Sequence, residues 1–255
     1  MGYKDILVFL DGSPDTEARL DLAVSLAHAH QARLLGVDVS PPSAAEGRWR
    51  DRVVGLQELF EGTLAPSGVG GQYLVADQGA AGAYAHYADL VVATQRSDDT
   101  ELVPAAVPEE VLLSAGIPVL VLPRGWRPAP VGERIVLAWN ASRESTRAAH
   151  DALPILVRAH KVTVFTFGVR SDGAKASAEL MADHLRRHGV PAETSTWKDT
   201  GDMSPVEALF ADVDTQDADL IVSGVYGHSS LAERLFGGAS HDLLREPIMP
   251  LLMSH

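Results

Sequence analysis

The sequence predicts an α/β protein made of two tandem copies of one domain, each a five-stranded parallel sheet with a doubly wound, Rossmann-like arrangement. Three observations support this prediction: the sequence repeats after about 129 residues, short apolar runs alternate with segments of helical period, and a stretch rich in proline and glycine separates the copies. With 46% hydrophobic and 22% charged residues among 255, the composition is that of an ordinary globular protein.

The internal repeat is carried by four blocks of similar sequence. The clearest are ILVFLDGS (residues 6–13), which matches IVLAWNAS (residues 135–142), and ADLVV (88–92), which matches ADLIV (218–222). Two further blocks follow at nearly the same offset, residues 32–39 with 161–168 and residues 117–121 with 249–253. Because the intervening residues 123–132 contain three prolines and two glycines, they suit an extended linker. We therefore expect one domain over residues 1–125 and a second over 132–255.

Apolar, β-branched runs mark the strands of each copy, since a parallel strand covered on both faces is continuously apolar. The predicted strands are 6–10, 32–39, 72–75, 90–93 and 118–122 in the first copy, and 135–139, 161–167, 192–197, 220–223 and 250–253 in the second. Helical segments such as 174–188 and 204–216 lie between them, and Ser13 and Ser142 are predicted helix N-caps. Strands that alternate with helices indicate parallel sheets with right-handed crossovers.

The last strand of each copy is apolar and would leave a hydrophobic sheet edge exposed. We therefore predict that the two copies pack through residues 118–122 and 250–253 as an intrachain pseudo-dimer.

Composition and charge exclude several classes of function. The chain has no cysteine, which excludes disulfides, thiolate metal sites and cysteine nucleophiles. Its formal net charge of −13, acidic in both halves, disfavours binding to nucleic acids and to anionic membranes. No apolar run is long enough for a membrane-spanning helix or a signal-peptide core, so a cytoplasmic location is expected.

Glycines concentrate after the fourth predicted strand of the second copy. Gly224 and Gly227 follow that strand directly, and Gly237 and Gly238 come after nine more residues, at the start of a segment of helical character. Glycine lets a backbone approach phosphate oxygens closely, and a helix N-terminus offers free N–H groups to an anion. In open parallel sheets, ligands bind beyond the carboxyl ends of the strands, where this loop falls. The alternative is that Gly224 and Gly227 only turn the chain and that Gly237 and Gly238 only break a helix.

This glycine spacing resembles the signature of the universal stress protein family, which is Gly, two residues, Gly, nine residues, Gly, then Ser or Thr. The resemblance covers nearly the whole chain and implies an adenine-nucleotide-binding fold. It implies that Ala138 and Asn140 lie at the adenosine end and that Phe167 lines the base pocket. The ribose and phosphates would run along Ser223, Gly224, Tyr226 and Gly227, with Gly237, Gly238 and Ala239 around the phosphate tail.

Two residues of the same loop, His228 and Ser240, can each be interpreted in two ways. His228 begins the loop and could supply a switchable positive charge beside the phosphates, or it could be a surface histidine. Ser240 could contact phosphate or cap the following helix. The resemblance implies ATP or AMP as the ligand, with ATP favoured and Mg²⁺ as an accompanying ion, and a homodimer as the assembly.

The two copies depart from the family pattern in opposite ways. In the second copy Asn140 stands where the family has an acid, and Gly238 stands where it has a hydroxyl residue. The first copy keeps the acid, Asp11, but its residues 93–110 contain no glycine and five carboxylates. A carboxylate-rich loop repels phosphates, so the first copy is predicted to have a structural role and to bind no triphosphate.

The sequence therefore favours a regulatory protein whose bound nucleotide orders the loop and alters a surface recognised by a protein partner in stress adaptation. A nucleotide-independent stress interaction protein and a slow nucleotide-hydrolysing enzyme with weak ATPase activity are the alternatives. No catalytic residue and no metal ligand is assigned. His184 and His188 have the i, i+4 spacing of a zinc-binding pair, but the sequence indicates no third ligand.

Overall fold

The structure is a computed structural model that describes residues 2–39, 46–76, 81–95, 111, 114–168, 172–198, 201–225, 243–244 and 247–255. It divides into two compact units, Met1–Pro128 and Ala129–His255. Seven of the predicted site residues lie outside the described part of the chain: Tyr226, Gly227, His228, Gly237, Gly238, Ala239 and Ser240.

The first unit contains one parallel sheet of five strands. Its elements in chain order are β1 (Asp5–Leu10), α1 (Thr16–His30), β2 (Arg33–Asp38), α2 (Glu46–Leu64), β3 (Gly71–Val75), α3 (Ala81–Ala85), β4 (Leu90–Thr94) and β5 (Val119–Leu122). The strands lie in the order β3-β2-β1-β4-β5, and all neighbouring pairs are parallel. The chain therefore winds first to one side of β1 and then to the other.

The second unit repeats this topology. Its elements are β6 (Arg134–Ala138), α4 (Arg143–Asp151), α5 (Leu153–Leu156), β7 (Lys161–Phe167), α6 (Asp172–Arg187), β8 (Ala192–Trp197), α7 (Pro205–Gln216), β9 (Leu220–Gly224) and β10 (Leu251–Ser254). The strand order β10-β9-β6-β7-β8 is again parallel throughout. This confirms the predicted fold class of two tandem, doubly wound parallel-sheet copies. The packing of the copies as a pseudo-dimer stays a prediction.

The strands form where the sequence is continuously apolar, because both faces of each central strand are buried. Strand β5 and the first four residues of β4 are buried throughout, and so are all residues of β1 after Asp5. Pro118 and Pro250 each precede a terminal strand, where the missing N–H removes no ladder bond. Their carbonyls still accept from Val91 N and Ile221 N at 3.0 and 3.1 Å. No helix among the described residues is both long and apolar enough to span a bilayer.

The two predicted N-caps have different outcomes. Ser142 caps α4, since its Oγ accepts from Ser145 N at 3.1 Å, and this prediction is confirmed. The prediction for Ser13 is wrong, because α1 begins three residues later, at Thr16, with Asp15 at its N-cap. The Asp15 side chain makes no cap bond, because its Oδ1 accepts from Gly125 N at 2.8 Å.

An aspartate at the amino edge of each sheet fixes the start of the first strand. In the first unit, Asp89 Oδ2 accepts from the N–H groups of Lys4 and Asp5 at 2.6 and 3.0 Å. In the second unit, the Asp219 carboxylate accepts from the N–H groups of Gly132, Glu133 and Arg134 at 2.7 to 3.1 Å. Both aspartates directly precede the fourth strand of their unit, so each joins that strand to the first one.

Candidate functional site

The candidate site of the second unit lies where the direction of winding reverses, between β6 and β9. From β6 the chain continues through α4 and α5 to β7 on one side, while β9 pairs with β6 on the other side. Because the helices diverge from such a point, it leaves a crevice beyond the carboxyl ends of the strands, and ligands of open α/β sheets bind there.

Five predicted site residues lie at this carboxyl edge. Ala138 is the last residue of β6, Phe167 of β7 and Gly224 of β9; Ser223 precedes Gly224, and Asn140 follows β6 by two residues. Asn140 is exposed, Ala138, Phe167 and Gly224 are half-buried, and Ser223 is buried. The parallel topology thus brings the residues predicted for the adenosine end and the base pocket to one edge of one sheet.

A tight turn positions Asn140 at the edge of the crevice. Asn140 Oδ1 accepts from Ser142 N at 3.0 Å, and Ala141 between them has a φ of 58°. That φ is in the left-handed region, which an alanine adopts at a cost of about 1–2 kcal/mol. Within the described part of the chain the Asn140 Nδ2 group makes no hydrogen bond, so the turn leaves a side-chain donor at the exposed edge.

Gly224 is required by packing against helix α4. A Cβ built on Gly224 would lie 2.4 Å from the carbonyl carbon of Glu144 and 2.5 Å from Ser145 N, both backbone atoms of the first turn of α4. Ser223 is also engaged, because its Oγ donates to the Gly224 carbonyl at 3.1 Å. Packing against α4 therefore explains why position 224 is a glycine. The sequence had suggested a different explanation, close approach of the backbone to phosphate. The structure also shows that the first turn of α4 contacts the end of β9.

The same crevice in the first unit is filled by an arginine. Arg19 of α1 is 1% exposed, and its guanidinium spans from β1 to β4. Its Nε donates to the Phe9 carbonyl at 2.7 Å, its Nη1 to Thr94 Oγ1 at 2.6 Å and its Nη2 to Asp11 Oδ1 at 2.8 Å. The point between β1 and β4 that corresponds to the candidate site thus holds a cation of the chain itself.

Asp11 is committed to this internal network. Its Oδ1 accepts from Thr16 Oγ1 at 2.7 Å and from Ser13 N at 3.0 Å, in addition to Arg19. Burial alone would raise the pKa of Asp11, but the charge of Arg19 and the hydrogen bonds from Thr16 and Ser13 together lower it below the ordinary value. Asp11 is therefore an ionised, paired carboxylate.

The second unit lacks the three side chains that form the bridge from Asp11 through Arg19 to Thr94. At the repeat offset of 129, Asn140 replaces Asp11 and the fully buried Ala148 replaces Arg19. At the end of the fourth strand, Gly224 replaces Thr94. The carboxylate of the first unit is thus replaced by a neutral amide, the guanidinium by a methyl group, and the hydroxyl residue by a glycine.

Arg19 and His150 are the residues that sequence reasoning missed. Arg19 shares the α1 face of Ala23 and Leu26, at i+4 and i+7, and a charge in such an apolar row was the available signal. His150 lies beside His184, at 5.3 Å between ring centroids, a contact between helices that no local pattern indicates. Among the described residues, no group of three or more His, Asp or Glu side chains is arranged to hold a metal ion.

Solved structures share this architecture over the whole chain. A universal stress protein from Archaeoglobus fulgidus DSM 4304 matches with a TM-score of 0.75 at 13% identity, over 98% of this chain and 97% of that chain. A functionally unknown protein from Pseudomonas aeruginosa PAO1 matches with a TM-score of 0.60 at 16% identity, over 99% of this chain and 92% of that chain. No family model and no curated protein matches the sequence.

The chain is therefore a tandem, doubly wound α/β protein. Its fold is that of the universal stress proteins, in a two-domain arrangement.

Proposed function

We propose that this chain is a regulatory member of the universal stress proteins that binds one adenine nucleotide, in its second unit. The observation that carries the proposal is the contrast between the two crevices. In the first unit Arg19 bridges Asp11 and Thr94 and fills the point where winding reverses. In the second unit the same point carries Asn140 and Gly224, and the glycine-containing segment follows it in the sequence.

In this proposal the adenosine lies against the ends of β6 and β7. Asn140 can donate from its Nδ2 group, which makes no hydrogen bond to the described residues, and Phe167 can pack on the base, while Ala138 leaves room between them. An amide can serve as donor as well as acceptor, so loss of the acid at position 140 changes the hydrogen bonds available and does not remove them.

The phosphates are assigned to the segment that follows β9. Gly224 is already packed against α4, so close backbone approach to phosphate falls to Gly227, Gly237 and Gly238. The remaining proposed contacts are Ser223, Tyr226, His228, Ala239 and Ser240. ATP, with Mg²⁺ accompanying its phosphates, is the proposed nucleotide, and AMP is the alternative that uses the same adenosine contacts.

A regulatory role is favoured over catalysis by the composition of the loop. Residues 226–240 contain a single carboxylate, Glu233, so the loop offers few groups for activating a water molecule. Nucleotide binding would instead order the loop and change the surface that a partner protein recognises.

A homodimer of the chain in the cytoplasm is part of the proposal. Light scattering tests the assembly: a mass near 54 kDa supports the homodimer, whereas 27 kDa, the mass of one chain, contradicts it.

The decisive experiment combines ligand identification with stoichiometry. Mass spectrometry of ligand released from undialysed protein should show an adenine nucleotide, and calorimetry on stripped protein should give one ATP per chain. Binding at a hundredfold excess over Kd stabilises the folded state by about 2.7 kcal/mol, which raises the melting temperature by a few degrees.

Matched variants locate the site. Gly227→Val and Gly237→Val should abolish the shift in melting temperature, whereas Asp98→Asn in the corresponding segment of the first copy should preserve it. A stoichiometry of two, or binding unaffected by both glycine variants, contradicts the proposed location. If ATP and AMP both fail to bind the wild-type chain, the second candidate, a nucleotide-independent interaction protein, is supported; the replaced family positions Asn140 and Gly238 are the observations in its favour.

A further inference from the structure

Three histidine rings form a cluster away from the candidate nucleotide site. His150 lies in the last turn of α4, His184 in the last turn of α6, and His188 directly after α6. The ring of His184 is in the middle, 5.3 Å from that of His150 and 4.7 Å from that of His188 between centroids. The His150 contact joins two helices that belong to different crossovers of the second unit.

The surroundings of His184 oppose a positive charge. Its Nε2 is buried and has no hydrogen-bond partner among the described residues. Partial burial, followed by the neighbouring His188, His150 and Arg187, lowers the pKa of His184 below that of a free histidine. A proton on His184 would therefore place a cation among two imidazoles and a guanidinium.

The carboxylates next to these histidines in the sequence each pair with an arginine of the same helix. Asp183, beside His184, forms an ion pair with Arg186, and Asp151, beside His150, accepts from Arg147 at 2.8 Å. His150 is held to its own helix, because its Nδ1 lies 2.8 Å from the Thr146 carbonyl and donates to it. In the neutral cluster the rings can pack edge to face, which an imidazolium pair opposes.

We propose that this cluster is a pH-sensitive latch between α4 and α6, closed when the histidines are neutral and released when His184 takes up a proton. The free state of His184 binds protons more readily than the packed state, so acidification through the range of free histidine, about pH 6.5, favours release. The stabilisation that the latch provides is present above that range and is lost below it.

Helix α4 connects the latch to the crevice between β6 and β9, so that release of the latch can affect the crevice. Helix α4 is only nine residues long, with His150 in its last turn and the Glu144 and Ser145 backbone of its first turn against Gly224. A shift of α4 therefore alters the packing at the end of β9. The consequence that acidification weakens nucleotide binding rests on the proposed function, whereas the latch itself does not.

The latch is tested on the full chain without nucleotide. Ring resonances of the ten histidines, assigned by single His→Gln variants, give titration midpoints by NMR. His184 should titrate below a free histidine, and its midpoint should rise in His150→Gln and in His188→Gln, which each remove one chargeable neighbour. A wild-type midpoint at or above 6.5, or a midpoint unchanged in both variants, overturns the proposal.

Unfolding equilibria provide the second readout. Between pH 7.5 and 5.5 the unfolding equilibrium constant of the wild type should increase, by up to about tenfold per pH unit for one proton taken up on unfolding. His184→Gln should show a smaller increase, while the exposed His86→Gln in the first unit should match the wild type. Equal increases in wild type and His184→Gln overturn the proposal, and if His184→Gln does not fold, His150→Gln is judged by the same criterion.

The step toward the crevice has its own measurement. Hydrogen-exchange protection of α4 amides should fall at pH 5.5 relative to pH 7.5 in wild type and remain in His184→Gln, again without nucleotide. ATP affinity should be lower at pH 5.5 than at pH 7.5 in wild type and should be the same at both pH values in His184→Gln. Absence of ATP binding at both pH values contradicts the proposed function and leaves the latch result standing, so the two failures are distinguishable.

Discussion

Asp11 and Asn140 accept the same hydrogen bond in the two units, from the backbone N–H two residues further on, at 3.0 Å in each case. The turn after the first strand is thus common to both copies. What differs is the rest of the side chain: Asp11 is paired with Arg19, whereas Asn140 has a free Nδ2 group within the described part of the chain. The shared bond therefore belongs to the turn that both copies have in common, and the difference underlies the proposed division of function.

The Arg19 network should contribute strongly to the stability of the first unit. Arg19→Met removes the ion-pair partner of Asp11, whose side chain is 12% exposed, and should lower the free energy of unfolding by about 3 kcal/mol. The double variant Arg19→Met/Asp11→Asn, which removes both charges, should recover part of that loss. Urea titrations followed by circular dichroism measure both, and a cost below about 1 kcal/mol for Arg19→Met would show that the pair is unimportant.

Asp11 should make stability depend on acid. Because its pKa is lowered in the folded state, its contribution is present above the pKa of an unfolded aspartate, about 3.9, and is lost as the pH falls through the folded-state value. The difference in unfolding free energy between wild type and Asp11→Asn should therefore shrink from pH 6 to pH 2.5. A difference that stays constant over this range contradicts the assignment.

The turn after the first strand offers a matched pair of substitutions. Ala141 has a φ of 58° and its counterpart Gly12 a φ of 71°. Ala141→Gly relieves a left-handed alanine and should stabilise the chain by up to about 1 kcal/mol, after the greater unfolded-state freedom of glycine is subtracted. Gly12→Ala should destabilise it, since the added Cβ also lies 3.2 Å from Arg52 Cδ. Thermal denaturation compares them, and shifts of the same sign would contradict the argument.

Gly224 should tolerate no side chain, whatever its role toward a ligand. Gly224→Ala forces its Cβ against the α4 backbone and should cost about 1–3 kcal/mol in ligand-free protein. Gly55→Ala is the control, because Gly55 lies within α2 with no atom within 4 Å of an added Cβ and should gain about 0.5–1 kcal/mol. If Gly224→Ala is as stable as wild type, helix α4 is not packed as described.

The central strands were predictable because their apolar runs are buried on both faces and need little tertiary context, whereas the partly exposed edge strand Ala192–Trp197 was predicted between two helical segments. Lys161–Phe167 and Ala192–Trp197 were predicted at their observed bounds, and the other strands begin and end within one residue of theirs. The cap at Ser142 was equally local, since the capped N–H is three residues away.

The features that the sequence did not predict depend on contacts between residues far apart in the chain. Ser13 follows its strand in the same way as Ser142, so the local sequence predicts a cap at both. In the structure Asp15 bonds to Gly125, 110 residues later, and α1 starts at Thr16. Arg19 is buried because it meets Phe9 and Thr94 on two neighbouring strands, and His184 meets His150 on another helix. A pattern within one helix indicates which face is buried, but it does not show what the buried polar group will contact.

The aspartates at the amino edges bear on how the chain folds during synthesis. Asp89 must meet Lys4 across 85 residues, and Asp219 must meet Gly132 across 87, so neither first strand is anchored until most of its unit has been made. Asp89 nevertheless precedes β6, so the ribosome produces both partners of the first anchor before it begins the similar strand of the second copy. Since domains fold as units, N-terminal first, the first half can complete its own sheet while no competing copy exists. Sequential emergence thus protects a duplicated chain from exchanging strands between its halves.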